Sequence, residues 1–344
     1  MRFYTKQHKY YCGIDLHARS MYICILDQEG KTALHRNRKA SPEAFLKAIE
    51  PYREDIVVAV ECMFVWYWLA DLCAKEKIPF VLGHALYMKA IHGGKSKNDK
   101  IDSKKIATLL RGGNIPVAYV YPRKMRSTWD LLRRRNHLMR KRSELLAHIQ
   151  NTNSQYNLPE FGRKLSYKAN RGGVAEHFPD PSVRKSIEVD LKLLDFYDQL
   201  LSNLELYIVK KAKADDVYSW YRLRSIPGVG KILGLEIHDI NRFPTVQDFV
   251  SYCRLVKCPR ESAGKKFGTK NSKIGNGHLK WAFSEAACLF LRGNEQAQHY
   301  HARLVSKYGK GKALSILAHK IGRAVYFMLK RKEPFSMNVF FQQT

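Results

Sequence analysis

No apolar run in these 344 residues approaches the ~20 needed to span a bilayer as a helix. That excludes a transmembrane helix by composition. The first nine residues, Met-Arg-Phe-Tyr-Thr-Lys-Gln-His-Lys, are polar and basic with no apolar stretch before a cleavage site, so no signal peptide is expected. A disulfide framework is lacking too: the seven cysteines are odd in number and scattered. Four residues separate Cys253 from Cys258, but no second close pair completes a zinc set. A reducing cytosol is the simplest setting, so a cytoplasmic location is expected. There is no internal repeat and no long low-complexity tract. Acid is the scarcest resource: 31 Asp and Glu face 60 Lys and Arg, a net charge of +29. That excess favours a polyanionic partner over a small ligand. A membrane surface is the rival partner, but no basic amphipathic anchor or lipidation signal is present.

What is there is ample core material, 45% hydrophobic and 12% aromatic residues, enough for two domains of ordinary size. Residues 10–27 read as a hairpin turning near 18–20, and a third strand covers 33–39. Ser41-Pro42 starts a helix to about Tyr52, with Ser41 as cap. A strand at 56–61, a helix at 64–77, a strand at 78–82 and a helix at 99–111 follow. Three successive strands and then alternation describe a mixed α/β sheet with helices against it. From 123 the pattern turns helical. A long basic helix is expected over 123–157, a loop or flexible insert over 158–180, and a second long helix over 182–213. The second has Ile187, Leu194, Leu201 and Ile208 on a heptad, with Tyr197 and Leu204 at the partner positions. The pair suggests an antiparallel coiled coil, a dimerisation surface, or two ordinary packed helices. The remainder holds a glycine-rich turn and three helices near 276–292, 295–308 and 312–330.

Four of the scarce acids stand where acids are costly or aligned. Asp15 lies inside the apolar strand Tyr-Tyr-Cys-Gly-Ile-Asp-Leu-His (10–17), and Glu61 ends Ile-Val-Val-Ala-Val-Glu (56–61). Asp99 and Asp102, in Lys-Asn-Asp-Lys-Ile-Asp-Ser-Lys-Lys (97–105), share one helix face in its first turn, where the dipole favours anions. A carboxylate in a buried strand needs a partner or a cation. Several together in a basic protein suggest Mg²⁺ held over a phosphate. Singly, each has a plainer reading: Glu61 as a solvated strand end, Asp99 as a helix cap.

Three further motifs fit a nucleic-acid partner. Pro-Arg-Glu-Ser-Ala-Gly-Lys-Lys-Phe-Gly (259–268) sets Ser262 between small residues beside Lys265 and Lys266, so a serine could meet a phosphate there. Ser272 and Ser284 compete for that role, and a solvated serine in a basic loop is the ordinary alternative. Ser-Ile-Pro-Gly-Val-Gly-Lys-Ile-Leu-Gly (225–234) looks like a helix-hairpin-helix turn, in which Gly228, Gly230 and Lys231 would approach a DNA backbone. The alternative is a plain Gly-Pro turn. Arg133, Arg134 and Arg135 with Arg140, Lys141 and Arg142, seven residues on, would track a nucleic-acid backbone from one helix.

Taken in order, Gly-Ile-Asp-Leu-His, the later Val-Glu, Lys-Asn-Asp-Lys-Ile-Asp-Ser-Lys-Lys-Ile-Ala, Ile-Pro-Gly-Val-Gly, and Glu-Ser-Ala-Gly followed by Lys-Ile-Gly-Asn-Gly-His-Leu-Lys resemble the DEDD-type insertion-sequence transposases. These are relatives of the Piv invertase and include bridge-RNA-guided DNA recombinases. The resemblance spans about 10–330. It implies a RuvC-like, RNase H-fold catalytic domain at 8–122, a coiled coil with an inserted loop at 123–214, and a mostly helical transposase domain at 215–335. It implies that Asp15, Glu61, Asp99 and Asp102 bind Mg²⁺ and that Ser262 is the nucleophile, joined covalently to DNA. It further implies donor and target DNA, a guide RNA and a homo-oligomer, dimer to tetramer, as partners. Where many members have two serines before the glycine, this chain has Ala263 at the second position. The rival activities are a metal-dependent RuvC-like endonuclease without a covalent intermediate, and a non-catalytic nucleic-acid-binding scaffold.

Overall fold

The structure, a computed structural model, describes residues 2–91, 98–230, 233–270 and 274–342. The chain divides into two compact units, Met1–Lys124 and Met125–Thr344.

The first unit is built on five strands: β1 (Tyr10–Leu16), β2 (Ser20–Leu26), β3 (Thr32–Lys39), β4 (Ile56–Glu61) and β5 (Phe80–Gly83). Their spatial order is β3-β2-β1-β4-β5. The first three form an antiparallel meander, and β4 and β5 add parallel to β1. Strand alternation divides β1 between two cores. Cys12, Ile14 and Leu16 face helices α1 (Pro42–Ile49) and α2 (Tyr67–Lys75), against Phe45, Ile49 and Leu69. Tyr11 belongs to the opposite face, packed with Ile106, Leu109 and Leu110 of α4 (Asp99–Arg111). Short helix α3 (Ala85–Ile91) follows β5. Ser41 caps α1 as expected, accepting from the Ala44 amide. The helix expected from 64 begins only at Tyr67, so residues 62–66 form a loop beyond Glu61.

The second unit starts with two long helices, α5 (Arg123–Gln155) and α6 (Pro181–Arg224). They pack antiparallel: Leu132 meets Ile208 near one end, and Ile149 meets Ile187 and Leu194 near the other. The heptad residues Ile187, Leu194, Leu201 and Ile208 are all buried. Helix α6 continues past the boundary expected at 214, with its one non-helical residue at Asp216. Residues 158–180 form the expected loop, with one 3₁₀ turn at Lys168–Asn170, and the loop is packed rather than free. Leu165, Val174, Ala175 and Phe178 are buried in a core with Ile149, Ile187 and Leu194. Arg171, itself buried, clamps this segment to α6 through Asp195 and Asp198, both at 2.6 Å. Glycine and charge made the segment read as a loop; its few apolar residues are spaced for burial rather than for a regular element.

The rest of the unit packs α7 (Leu233–Ile237), α8 (Val246–Tyr252), α9 (Gly277–Phe290), α10 (Glu295–Tyr308), α11 (Lys310–Arg331) and α12 (Met337–Gln342) around Phe249, Phe283, Phe290 and Ile321. A two-stranded hairpin, β6 (Cys258–Ser262) and β7 (Lys265–Lys270), replaces the loop expected at 259–268.

Candidate metal centre and nucleic-acid interface

Gly13 sets the position of the acids. A Cβ there would lie 2.2 Å from the Ala107 nitrogen and 2.4 Å from the Ser103 oxygen, so only glycine lets α4 rest directly on β1. Two residues along β1 on the same face is Asp15; one turn before Ser103 is Asp99. Asn98, not Asp99, caps α4, accepting from the Ile101 amide at 2.8 Å. His35 of β3 steadies the same turn, 2.9 Å from the Lys100 carbonyl.

The structure brings Asp15 and Asp99 together with a third group that sequence reasoning missed, His17. Ligand atoms of the three lie within 4.8 Å of one another. His17 Nε2 is 3.4 Å from Asp15 Oδ2 and 3.5 Å from Asp99 Oδ1. The signal was legible: His17 stands two residues after Asp15, hence on the same side of an extended chain. Asp102 lies one helical turn on and is paired with Lys105 at 3.3 Å. Glu61 ends β4, which runs beside β1 in the register Ile14 to Val60, so it emerges next to Asp15. Glu61 and Asp102 thus border the closest group without belonging to it.

Burial pushes the Asp15 carboxyl above its ordinary value; His17 offsets part of this, and the Asp99 and Asp102 carboxylates add to the rise. Convergent acids that disfavour one another's charge are what a cation relieves. Two carboxylates and an imidazole at this separation therefore fit a divalent ion.

Ser262 ends β6 at the tip of the hairpin and is exposed. The turn is Ala263-Gly264, both with positive φ (48° and 73°), as a two-residue type I′ turn requires. Ser262 pairs with Lys265 across the strands, so their side chains leave one face of the hairpin. Only the backbone of Lys266 is described, opposite Glu261. Ser284 is a weaker candidate, because its hydroxyl donates to the Lys280 carbonyl within α9. Ser272 and Lys231 fall outside the described residues.

The basic helix is not a uniform track. Three consecutive helical residues fan across more than half the circumference. Arg133 forms a double hydrogen bond to buried Glu236 (2.8 and 2.6 Å), which also accepts from Asn276 at 2.5 Å. Arg135 pairs with Glu205 at 2.6 Å and Arg142 with Asp198 at 2.5 Å. Lys141 pairs with Glu144 at 2.7 Å. Arg134 and Arg140, with Lys141, occupy the exposed face. Burial, and then Arg133, holds His278 below its ordinary imidazole range beside this cluster. Gly228 has a structural reason of its own: a Cβ there would lie 2.6 Å from the Phe290 nitrogen, so the turn packs on α9. Around Gly230 the space is open.

A transposase family model of the DEDD, IS110 type matches residues 12–157. A second, "Transposase IS116/IS110/IS902 family", matches 221–302. The chain is also similar to the transposase for insertion sequence element IS1111A of Coxiella burnetii (strain RSA 493 / Nine Mile phase I), 22% identical over 341 residues, covering 94% of this chain and 90% of that protein. The first matched stretch spans the positions of Asp15, Glu61, Asp99 and Asp102, and the second spans that of Ser262. With both halves matched in order on one chain, the protein belongs to the DEDD-type insertion-sequence transposases of the IS110 group, enzymes that act on DNA.

Proposed function

We propose that this transposase cuts and rejoins DNA through a serine–phosphate intermediate, with Asp15, Glu61, Asp99 and Asp102 forming a Mg²⁺ site. The observation that carries the metal reading is the convergence of Asp15, His17 and Asp99. A bound divalent ion would offset charge developing on the phosphate oxygens. Asp15 and Asp99 would hold it. With Mg²⁺, which prefers oxygen, His17 would orient the two carboxylates rather than ligate. The strand order β3-β2-β1-β4-β5 supports a RuvC-like reading of residues 8–122.

Ser262 supplies the nucleophile. Its Oγ forms a bond to the scissile phosphorus, the bond from phosphorus to the sugar 3′ oxygen breaks, and one proton passes from the serine to the departing hydroxyl. The phosphoester conserves the bond energy until the 3′ hydroxyl of another strand displaces the serine. Lys265, on the same hairpin face, would neutralise a non-bridging oxygen. The exposed tip position supports this, since a nucleophile must reach a phosphate held elsewhere. Arg134, Arg140 and Lys141 would contact the nucleic-acid backbone, as would Gly230. The charge of +29 is compatible with guide RNA as well as DNA. Copies of the chain would assemble as a homo-oligomer, dimer to tetramer, in the cytoplasm.

A nicked suicide substrate tests this directly. Wild-type protein with Mg²⁺ should yield a protein–DNA adduct, and Ser262→Ala should yield neither adduct nor cleavage. Undiminished cleavage by Ser262→Ala would leave the metal-dependent nuclease, for which the acid cluster alone suffices. Unchanged activity in Asp15→Asn would leave the non-catalytic scaffold.

A further inference from the structure

Helices α9, α10 and α11 leave an open groove of about 620 Å³ between them, a size that suits a small ligand or one nucleotide. Leu291, Ala302, Val305 and Leu314 give it a largely apolar lining, which His301 and Lys310 complete. His301 Nε2 is buried and has no hydrogen-bond partner. Beside the groove, α10 passes into α11 through Lys307-Tyr308-Gly309-Lys310-Gly311-Lys312. Tyr308 is exposed, with the Lys307 and Lys312 ammonium groups 5.3 and 4.3 Å from its ring centre. Helix α11 starts here with no capping side chain and no acid in its first turn. The helix dipole favours an anion at that end, yet Lys310 and Lys312 stand there. No acid occurs in the sequence from Gln296 to Lys332, and none lines the groove. Arg133, Arg135 and Arg142 are all paired with acids; among the described residues these three lysines have no carboxylate partner.

We infer that the groove takes one unpaired base of a DNA strand, with the adjoining phosphate on the first turn of α11 and its lysines. Free amides, the dipole and the lysines call for a phosphate. The lining calls for a flat apolar group, and a base also carries polar edge atoms for His301 Nε2. One nucleotide supplies all three. In a duplex the faces of the bases are covered by stacking, so only a base out of the stack can enter. A second copy of the chain fits poorly, because the same lysines would meet across the contact. An acidic peptide answers the charge, but the chain belongs to enzymes that act on DNA, and that favours the nucleotide. The inference rests on the proposal that strands are cut and rejoined, since exchanging partners parts the bases beside the break.

Anisotropy on the full-length protein compares single strands of equal length: DNA, the same DNA with abasic sugars, and RNA of the same sequence. Wild-type protein should bind the DNA about tenfold more tightly than the abasic strand, which keeps every phosphate. Ala302→Gln pushes a longer neutral side chain into the groove from an exposed position. It should abolish that preference while leaving abasic affinity unchanged. Lys310→Gln should weaken both strands alike and lower the salt slope by about 1. No preference in the wild type, or an undiminished one in Ala302→Gln, overturns the base site. A preference confined to RNA overturns DNA as the occupant, and polyglutamate binding that Ala302→Gln weakens overturns the nucleotide in favour of an acidic peptide. Photocross-linking of DNA carrying 5-iododeoxyuridine locates the base without any variant. Adducts should map to residues 301–314; adducts found only elsewhere overturn the groove. The nicked substrate, run in parallel, separates the two readings: a protein–DNA adduct without base preference overturns the groove alone, and no adduct overturns the chemistry on which it rests.

Discussion

Gly13 and Asp15 are separated by one residue and do opposite work on the same face of β1. The first brings α4 onto the strand with no side chain between; the second places a carboxylate where that helix begins. Gly13→Ala would drive a methyl into the Ala107 and Ser103 backbone. Overpacking of that kind costs about 1–3 kcal/mol, and more where backbone must move. The expected outcome is a lower unfolding midpoint together with at least tenfold slower Mg²⁺-dependent DNA cleavage. A variant that unfolds earlier yet cleaves normally would show that Asp15 and Asp99 need not meet. The acid spacing was readable because a carboxylate inside an apolar strand is conspicuous. Gly13 was not, since glycine declares a close approach only when the approaching backbone is known. His17 sat in plain view and went unweighed, because one imidazole has too many ordinary roles.

The long helices show how an element's chemistry depends on its neighbours. Heptad positions on α6 identified a buried seam correctly, but periodicity cannot say which neighbours cover it. Basic triplets on α5 looked alike in sequence, yet acids from α6 and α7 engage Arg133, Arg135 and Arg142 and leave Arg134 and Arg140 outward. Asp198 is the keystone of the packed segment 158–180, holding both Arg142 and Arg171. Burial would raise its carboxyl, but the hydrogen bonds and charge of the two arginines more than reverse this and hold it below its ordinary value. A lowered carboxyl stabilises the fold above its unfolded pKa, near 3.9, and that contribution is lost as pH falls through the folded value. Proteolysis or amide exchange around Gly172–Gly173 should therefore rise as pH drops below about 4. Asp198→Asn should show the same loosening at neutral pH. Wild-type protection in that variant at neutral pH would remove Asp198 from the role.

For the molecule as a whole, net charge governs how it meets DNA. Affinity should fall steeply and linearly with salt on logarithmic axes. Arg134→Ala or Arg140→Ala should each reduce the slope by about 1 with stability unchanged, whereas Arg142→Ala should lower the unfolding midpoint and leave the slope nearly alone. Filter binding or anisotropy across a salt series separates these outcomes; wild-type slopes for Arg134→Ala and Arg140→Ala would remove this face of α5 from the interface. Composition, charge and the order of the motifs established a basic, DNA-directed enzyme with an acidic centre, because these properties are carried by residue type and spacing along the chain. Which cations are engaged, which glycine admits a helix, that His17 joins Asp15 and Asp99, and that Ser262 rides a hairpin tip depended on folding. Apart from the hairpin, whose strands are neighbours in sequence, each is a contact between residues distant in sequence, and no local pattern encodes who the neighbour will be.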